Sequence, residues 1–296
     1  MTIARKLDLA LEARDLAAPD GAALDGVRVR EDTLHGFPLT RVEILDEDGA
    51  RTLGKPVGTY LTLDLDDLPR DRADVLRAAR AVAAALRSLA ALPEDGPVLV
   101  AGLGNRAVTP DRLGPQTTDH VLVTRHLVAQ LPDQFGALRP VAALAAGVTG
   151  TTGMESGELI GAVAERLAPA CLIAVDALAA RRQERVCRTI QLSDTGIVPG
   201  SGVGNARMAL DRAHLGVPVL AVGVPTVVDA ATLCLDLLDG AEGFDPAVFR
   251  REGAEWFVTP RSIDTETEVL AKILGWGISA ALHVDFSVEE VEKWTS

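Results

Sequence analysis

The chain has 296 residues, with 29 Lys and Arg against 42 Asp and Glu, a net charge of −13 with neutral His. At about 150 residues per domain, that length allows one large domain or two ordinary ones. The acidic balance disfavours direct binding to the phosphate backbone of nucleic acid. Aromatic residues make up only 3% of the chain, too few for base- or sugar-stacking platforms, so an aliphatic core is expected.

The opening MTIARKLDLALEARDLA carries a charge every few positions and lacks the apolar run of a signal peptide. No uncharged apolar stretch is long enough to span a bilayer, so a cytosolic protein without membrane contact is expected. Cys171, Cys187 and Cys234 are odd in number, far apart and set in apolar runs, which reads as buried thiols in a reducing compartment.

The runs VRVRE (27–31), LTRVEIL (39–45) and GTYLTLD (58–64) have β-branched residues and partial alternation. Gly36-Phe37-Pro38 and Asp46-Glu47-Asp48-Gly49 separate them as turns. Residues 71–92 space Val75, Leu76, Ala79, Val82, Ala83, Leu86 and Leu89 by threes and fours, an amphipathic helix ending at Pro93. From Pro97 the rhythm becomes apolar strand, glycine-rich turn, helix. Strands are expected at 98–103, 140–145, 170–176, 188–194 and 217–223. Helices are expected at about 117–130, 155–168, 204–213, 226–238 and 261–282, with 239–253 the loosest segment. This pattern predicts an α/β fold with a mostly parallel sheet and helices on both faces. A smaller β-rich segment with its helix (1–96) would pack on an α/β catalytic core (97–296).

Ligands in such sheets bind beyond the carboxyl ends of the strands, which directs attention to the residues following each strand. Gly102-x-Gly104-x-x-Ala107 superficially matches a dinucleotide fingerprint. However, Val108-Thr109-Pro110-Asp111 follows, no long helix is expected before about Gln116, and Val123-Thr124-Arg125-His126 stands where an acidic ribose ligand belongs. No cofactor is therefore expected.

Asp176 closes the apolar run from Cys171, and Asp111 lies in the turn after the first strand of the sheet. If those strands are neighbours, the two acids meet over one crevice, where one can hold a proton while the other activates water. Each could equally cap a helix or tighten a turn, the commoner role of strand-end Asp. Asp194 and Asp229 read as turn or cap residues. His126 and His283 stand outside any HExxH pattern, and Ser201 sits in a glycine-rich turn that would let a peptide lie close.

The blocks VLVAGLGNRAVTPDRLGPQTTDHVLVTRHL (98–127), AGVTGTTGMESGELI (146–160), ACLIAVDALAARRQERVCRTIQLSDTGIVPGSGVGN (170–205) and LGVPVLAVGVPTVVDAATL (215–233) are similar to the germination proteases. That family degrades small acid-soluble proteins in bacterial spores. The resemblance covers nearly the whole chain, including WFVTPRSID and GISAALHVD near its end. It implies an aspartic-type endopeptidase working without bound metal, a homotetramer in the spore core made as a zymogen. The family's two catalytic aspartates fall in motifs that here read Val108-Thr109-Pro110-Asp111 and Val175-Asp176-Ala177-Leu178-Ala179-Ala180. Those are the residues that the strand-end reasoning singles out.

The family's junction between propeptide and mature chain is matched by Asp8-Leu9-Ala10-Leu11-Glu12, so Asp8–Leu9 is the expected self-cleavage bond, although only seven residues precede Asp8. The family's fold is related to that of the hydrogenase-maturation endopeptidases, whose GxGNxxxxDxxG element resembles Gly102-Leu103-Gly104-Asn105 with Asp111 and Gly114. That relation supplies the alternative of a nickel- or zinc-dependent endopeptidase; a non-catalytic peptide-binding remnant is the other. In the aspartate reading, the backbone N–H groups of Gly102, Gly104, Asn105, Gly147 and Gly150 are expected near the developing oxyanion.

Overall fold

The computed structural model describes residues 8–89, 92–201, 207–238 and 256–295. The segment expected to be loose, 239–253, and the Gly204-Asn205 turn lie outside these. The strands are β1 (Val27–Leu34), β2 (Phe37–Ile44), β3 (Gly58–Asp64), β4 (Val98–Leu103), β5 (Val141–Gly147), β6 (Cys171–Ala180), β7 (Thr189–Ser193), β8 (Val219–Asp229) and β9 (Phe257–Val258). They form one sheet in the order β1-β2-β3-β7-β8-β6-β4-β5, with the short β9 on β8.

The fold is α/β, and the sheet is mixed. β5, β4, β6 and β8 are parallel neighbours, whereas β1–β2, β2–β3, β3–β7, β7–β8 and β8–β9 are antiparallel. The expected predominance of parallel pairing fails at β7 because the 181–188 connection is too short for a parallel crossover, which needs a dozen or more residues. The chain reverses there, and β3 pairs on the far edge of β7, joining the N-terminal strands to the same sheet.

Helices cover both faces. Val98, Val100, Ile173 and Val175 face the helices Arg72–Arg87 and Ile263–Leu282 in one cluster. The alternate residues Leu99, Ala101, Leu172 and Ala174 face the helix Ser156–Leu167 through Ile160 and Ala164. Every residue of β4 is buried, as a central strand covered on both sides requires.

Local chemistry sets the element ends. The Asp71 carboxylate accepts from the Asp74 N–H at 2.8 Å and opens the helix expected near 71, which ends at Arg87. The segment Asp46-Glu47-Asp48-Gly49 was expected to be only a turn. It starts the helix Glu47–Leu53, because the Asp46 carboxylate accepts from the N–H groups of both Asp48 and Gly49.

The single helix expected over 117–130 is two, Leu113–Asp119 and Arg125–Gln130. The chain between them is held by other elements: the Leu122 N–H donates to Ser279 Oγ, and the Thr124 N–H to the Val141 carbonyl. Within the described residues of 204–213 only Arg212 and Ala213 are helical, in the turn Arg212–Leu215, while β8 runs on to Asp229 before the helix Ala230–Leu237 begins. The helices Ala10–Ala17 and Val288–Thr295 had no expectation attached.

The long helix Ile263–Leu282 approaches its neighbours through glycines. A Cβ on Gly277 would lie 2.7 Å from the Val82 side chain and 2.9 Å from the Ala79 carbonyl oxygen. In an exposed helix Gly→Ala stabilises by about 1 kcal/mol. Gly277→Ala should instead destabilise by roughly 1–3 kcal/mol through overpacking, read as a lower denaturant midpoint at unchanged slope.

Candidate active site

Three parallel strands, β4, β6 and β8, deliver the site. After β4 the chain turns at Gly104, with φ +109°, and returns through a single turn of 3-10 helix, Thr109–Asp111. A Cβ on Gly104 would collide with the Asp111 carbonyl oxygen and lie 2.9 Å from its Oδ1, so only glycine fits there. Gly102 permits a second close approach. A Cβ there would strike the Gly114 carbonyl oxygen, so its absence lets the Leu113–Asp119 helix sit directly on β4.

The Asp111 turn is pinned from three directions. The Asn105 N–H donates to Asp111 Oδ2 at 2.7 Å. The Thr226 hydroxyl on β8 donates to the Pro110 carbonyl at 2.7 Å. The Arg112 guanidinium donates to Asp264 Oδ1 at 2.9 Å and so ties the turn to the long helix.

Asp176 lies within β6, which continues to Ala180, and its side chain is buried at 6% exposure rather than emerging at a strand end. Its register partner on β8 is Gly223, which contributes no side chain to that row. The Ala177 N–H donates to Asp176 Oδ1 at 2.9 Å. Burial raises the Asp176 carboxyl well above its ordinary pKa, and the negative charges of Asp111 and Asp8 push it further the same way. Asp111 is also raised by burial, but the Asn105 N–H and the Arg207 charge oppose that shift. Two carboxyls of one cavity thus sit in unequal environments: burial and two negative charges raise Asp176, while an N–H and Arg207 oppose the rise of Asp111.

Both line one cavity of about 410 Å³, together with Gly104, Asp8, Ser201 and Arg207. Asp8 arrives from the N-terminal segment. Its carboxylate accepts from the Ala179 N–H at 2.9 Å and from the Ser201 hydroxyl at 3.0 Å, while Leu9 beside it is fully buried. Four residues on, the buried Glu12 carboxylate accepts from the Arg181 and Arg182 N–H groups at 2.8 and 2.9 Å.

The expected backbone donors divide. Gly104 lines the cavity, whereas Gly102, Asn105, Gly147 and Gly150 do not, and the Asn105 N–H is occupied by Asp111. Gly147, with φ +72°, ends β5 and accepts at its carbonyl from Ser156 Oγ at 2.8 Å. Gly150 has open space around it.

Asp229 takes the cap role expected of it, whereas Asp194 ties the end of β7 to β3. Asp194 accepts from the Thr59 N–H at 2.7 Å, and Asp229 caps the Ala230–Leu237 helix through the Thr232 N–H at 2.8 Å. His126 is exposed, and His283 is buried with its ring edge-on to Phe286. Thr226, Glu12 and Gln191 carry contacts that sequence reasoning did not single out. The only signal for Gln191 was a lone amide inside the apolar run of β7.

Because the folded state raises the Asp176 pKa, it binds more protons than the unfolded chain, and stability falls as pH rises above about 4. Removing the carboxyl relieves this. Asp176→Asn should melt above the parent chain at neutral pH, with the gap closing as pH falls towards about 4. Thermal melts from acid to neutral pH check the sign; a variant less stable than the parent at neutral pH contradicts it.

Comparison with known proteins places these residues in context. The family model described as germination protease, peptidase A25, matches residues 4–241. A germination protease of Clostridium perfringens is 39% identical over 98% of this chain and 98% of its own. The germination protease of Caldanaerobacter subterraneus subsp. tengcongensis is 48% identical over 79% of this chain and 72% of its own. Among solved structures, a [NiFe] hydrogenase maturation protease, HycI from Thermococcus kodakarensis KOD1, aligns with 60% of this chain and 92% of its own at 15% identity and a TM-score of 0.32, a likeness that carries no argument. On the family match and the relatives' identity, the chain belongs to the germination protease family and is a peptidase with a protease role in spore germination.

Proposed function

We propose that the chain is an aspartic-type endopeptidase in which Asp111 and Asp176 share one water. The observation that carries this reading is that both carboxyls line a single cavity, Asp176 fully within the sheet and Asp111 held by the Asn105 N–H, so that burial presses unequally on the two. The ionised Asp111 takes a proton from the water as it attacks the scissile carbonyl carbon, and the protonated Asp176 donates to the carbonyl oxygen. Collapse of the tetrahedral intermediate breaks the C–N bond, and the departing amine leaves with a proton returned from the dyad. Arg207, which lines the cavity, moderates the charge of Asp111 and Asp176.

The substrates in this reading are small acid-soluble spore proteins, cut in the spore core. The chain works as a homotetramer and processes itself at Asp8–Leu9. Residues 97–296 supply the catalytic pair, and 1–96 pack against them as a β-rich support. Asp8 favours self-processing, since it already lies in the cavity with the two aspartates.

Asp176→Asn and Asp111→Asn should each lower cleavage of a purified spore acid-soluble protein by about 10²–10⁴-fold or more, with circular dichroism unchanged. A folded variant with full activity sinks the dyad. Activity lost on exhaustive chelation and restored by nickel or zinc favours the metal-dependent alternative. The rate should follow a bell in pH, rising as Asp111 ionises and falling as Asp176 ionises. Asp111→Asn should remove the acid limb from any residual activity, and a rate that keeps climbing on the alkaline side counts against Asp176 as the acid.

A further inference from the structure

The Asp8–Leu9 bond is gripped by a side chain outside the aspartate pair. The Ala10 N–H donates to Gln191 Oε1 at 2.7 Å, and Gln191 Nε2 donates to the Asp8 carbonyl oxygen at 3.1 Å. The amide orientation is unambiguous. A backbone N–H can only donate, so the atom it meets is the oxygen, and the other end of the amide is the N–H₂ group. One carboxamide thus brackets the bond, holding the carbonyl on one side and the second N–H beyond it on the other.

Gln191 also stands in the right row of the sheet. It is paired with Gly223 on β8, and Gly223 is paired with Asp176 on β6. Register partners on adjacent strands face the same side. Gln191 and Asp176 therefore project from the same face, about 10 Å apart at their Cα atoms, across Gly223, over which the Leu178 side chain packs. The peptide meets that row at Gln191, and is held by the Asp8 carboxylate, the buried Leu9 and the Glu12 carboxylate. Gln191 itself is 9% exposed, so water competes little for its N–H.

We infer that Gln191 is a catalytic residue for cleavage of the Asp8–Leu9 bond, its Nε2–H stabilising the oxyanion that forms on the Asp8 carbonyl. The inference rests on the aspartate-dyad reading and on Asp8–Leu9 as the bond cut. When water adds to the Asp8 carbonyl carbon, its proton passing to Asp111, the carbonyl π pair moves onto the carbonyl oxygen, which then carries three lone pairs. The Asp176 O–H meets one and Gln191 Nε2–H another. When the intermediate collapses, that pair re-forms C=O and the C–N electrons leave with the Leu9 nitrogen, which gains a proton. The products are a new carboxyl at Asp8 and an amine at Leu9. A donor fixed in place by the strand strengthens as charge develops and needs no reorganisation.

The test follows self-cleavage of the full-length chain by intact mass, under conditions in which the parent chain processes itself. Amide hydrogen exchange at Leu11–Ala13 reports whether the segment stays docked. Gln191→Glu keeps an acceptor for the Ala10 N–H and loses the donor. It should slow self-cleavage by roughly 10²–10³-fold while exchange at Leu11–Ala13 changes by less than threefold. Gln191→Met, of similar volume and without a charge, should slow it as much and serves if the Glu variant does not fold.

Folded variants that cleave at the parental rate, or whose slowing matches a loss of docking, overturn the role of Gln191. Asp176→Asn runs beside them: if it is inactive while the Gln191 variants are not, the dyad stands and only this inference falls. A parent chain that never cuts Asp8–Leu9, or an active Asp176→Asn chain, removes the reading beneath it and the inference together.

Discussion

The burial of one carboxyl inside the sheet organises this molecule. Asp176 stands within β6, one residue beyond the end of its ladder with β4 and beside Gly223 of β8, over which the Leu178 side chain packs. An ionised carboxylate so placed costs several kcal/mol after relaxation, so the group stays protonated well above the usual carboxylate range. Asp111, fixed over the end of β4, is raised by burial too, but an N–H and Arg207 hold it back. The difference between the two follows from where they sit, since their chemistry is identical.

That arrangement demands rigidity around Asp111, and the chain supplies it with small residues and hydroxyls. Gly102 and Gly114 bring a helix onto β4 closer than any side chain allows, and Gly104 makes room for the Asp111 backbone. Thr226 then ties the Thr109–Asp111 turn to β8, and Arg112 ties it to the long helix. The glycines that resemble a nucleotide loop thus serve close packing and the placement of one carboxylate.

The N-terminal segment is built into the same site. Asp8 and Glu12 have their carboxylates on backbone N–H groups of β6 and of the two residues after it, and Leu9 is buried between them. Glu12 is 2% exposed, and that burial raises its pKa despite those two donors. A segment with three such anchors is held in one register along β6, and that register brings the Asp8 carbonyl to Gln191.

Much of this was legible from sequence because it depends on near neighbours. The apolar runs of β4, β6 and β8, the threes-and-fours spacing of Arg72–Arg87, and the pairing of two Asp residues with parallel strands are local patterns. The Glu47–Leu53 helix was missed because Asp46-Glu47-Asp48-Gly49 reads as a turn until the Asp46 carboxylate is seen capping it. The break at His120–Thr124 depends on Ser279 and Val141, both remote in sequence. By itself the sequence determined the class of fold, the aliphatic core and the two aspartates, since period, composition and motif are read within a few residues. Tertiary structure alone decided that the sheet is mixed and that Asp176 is buried. It also brought residues 8, 111, 176, 191 and 207 to one place. Strand order and register set those contacts, and they are fixed only when segments far apart in the chain exclude water together.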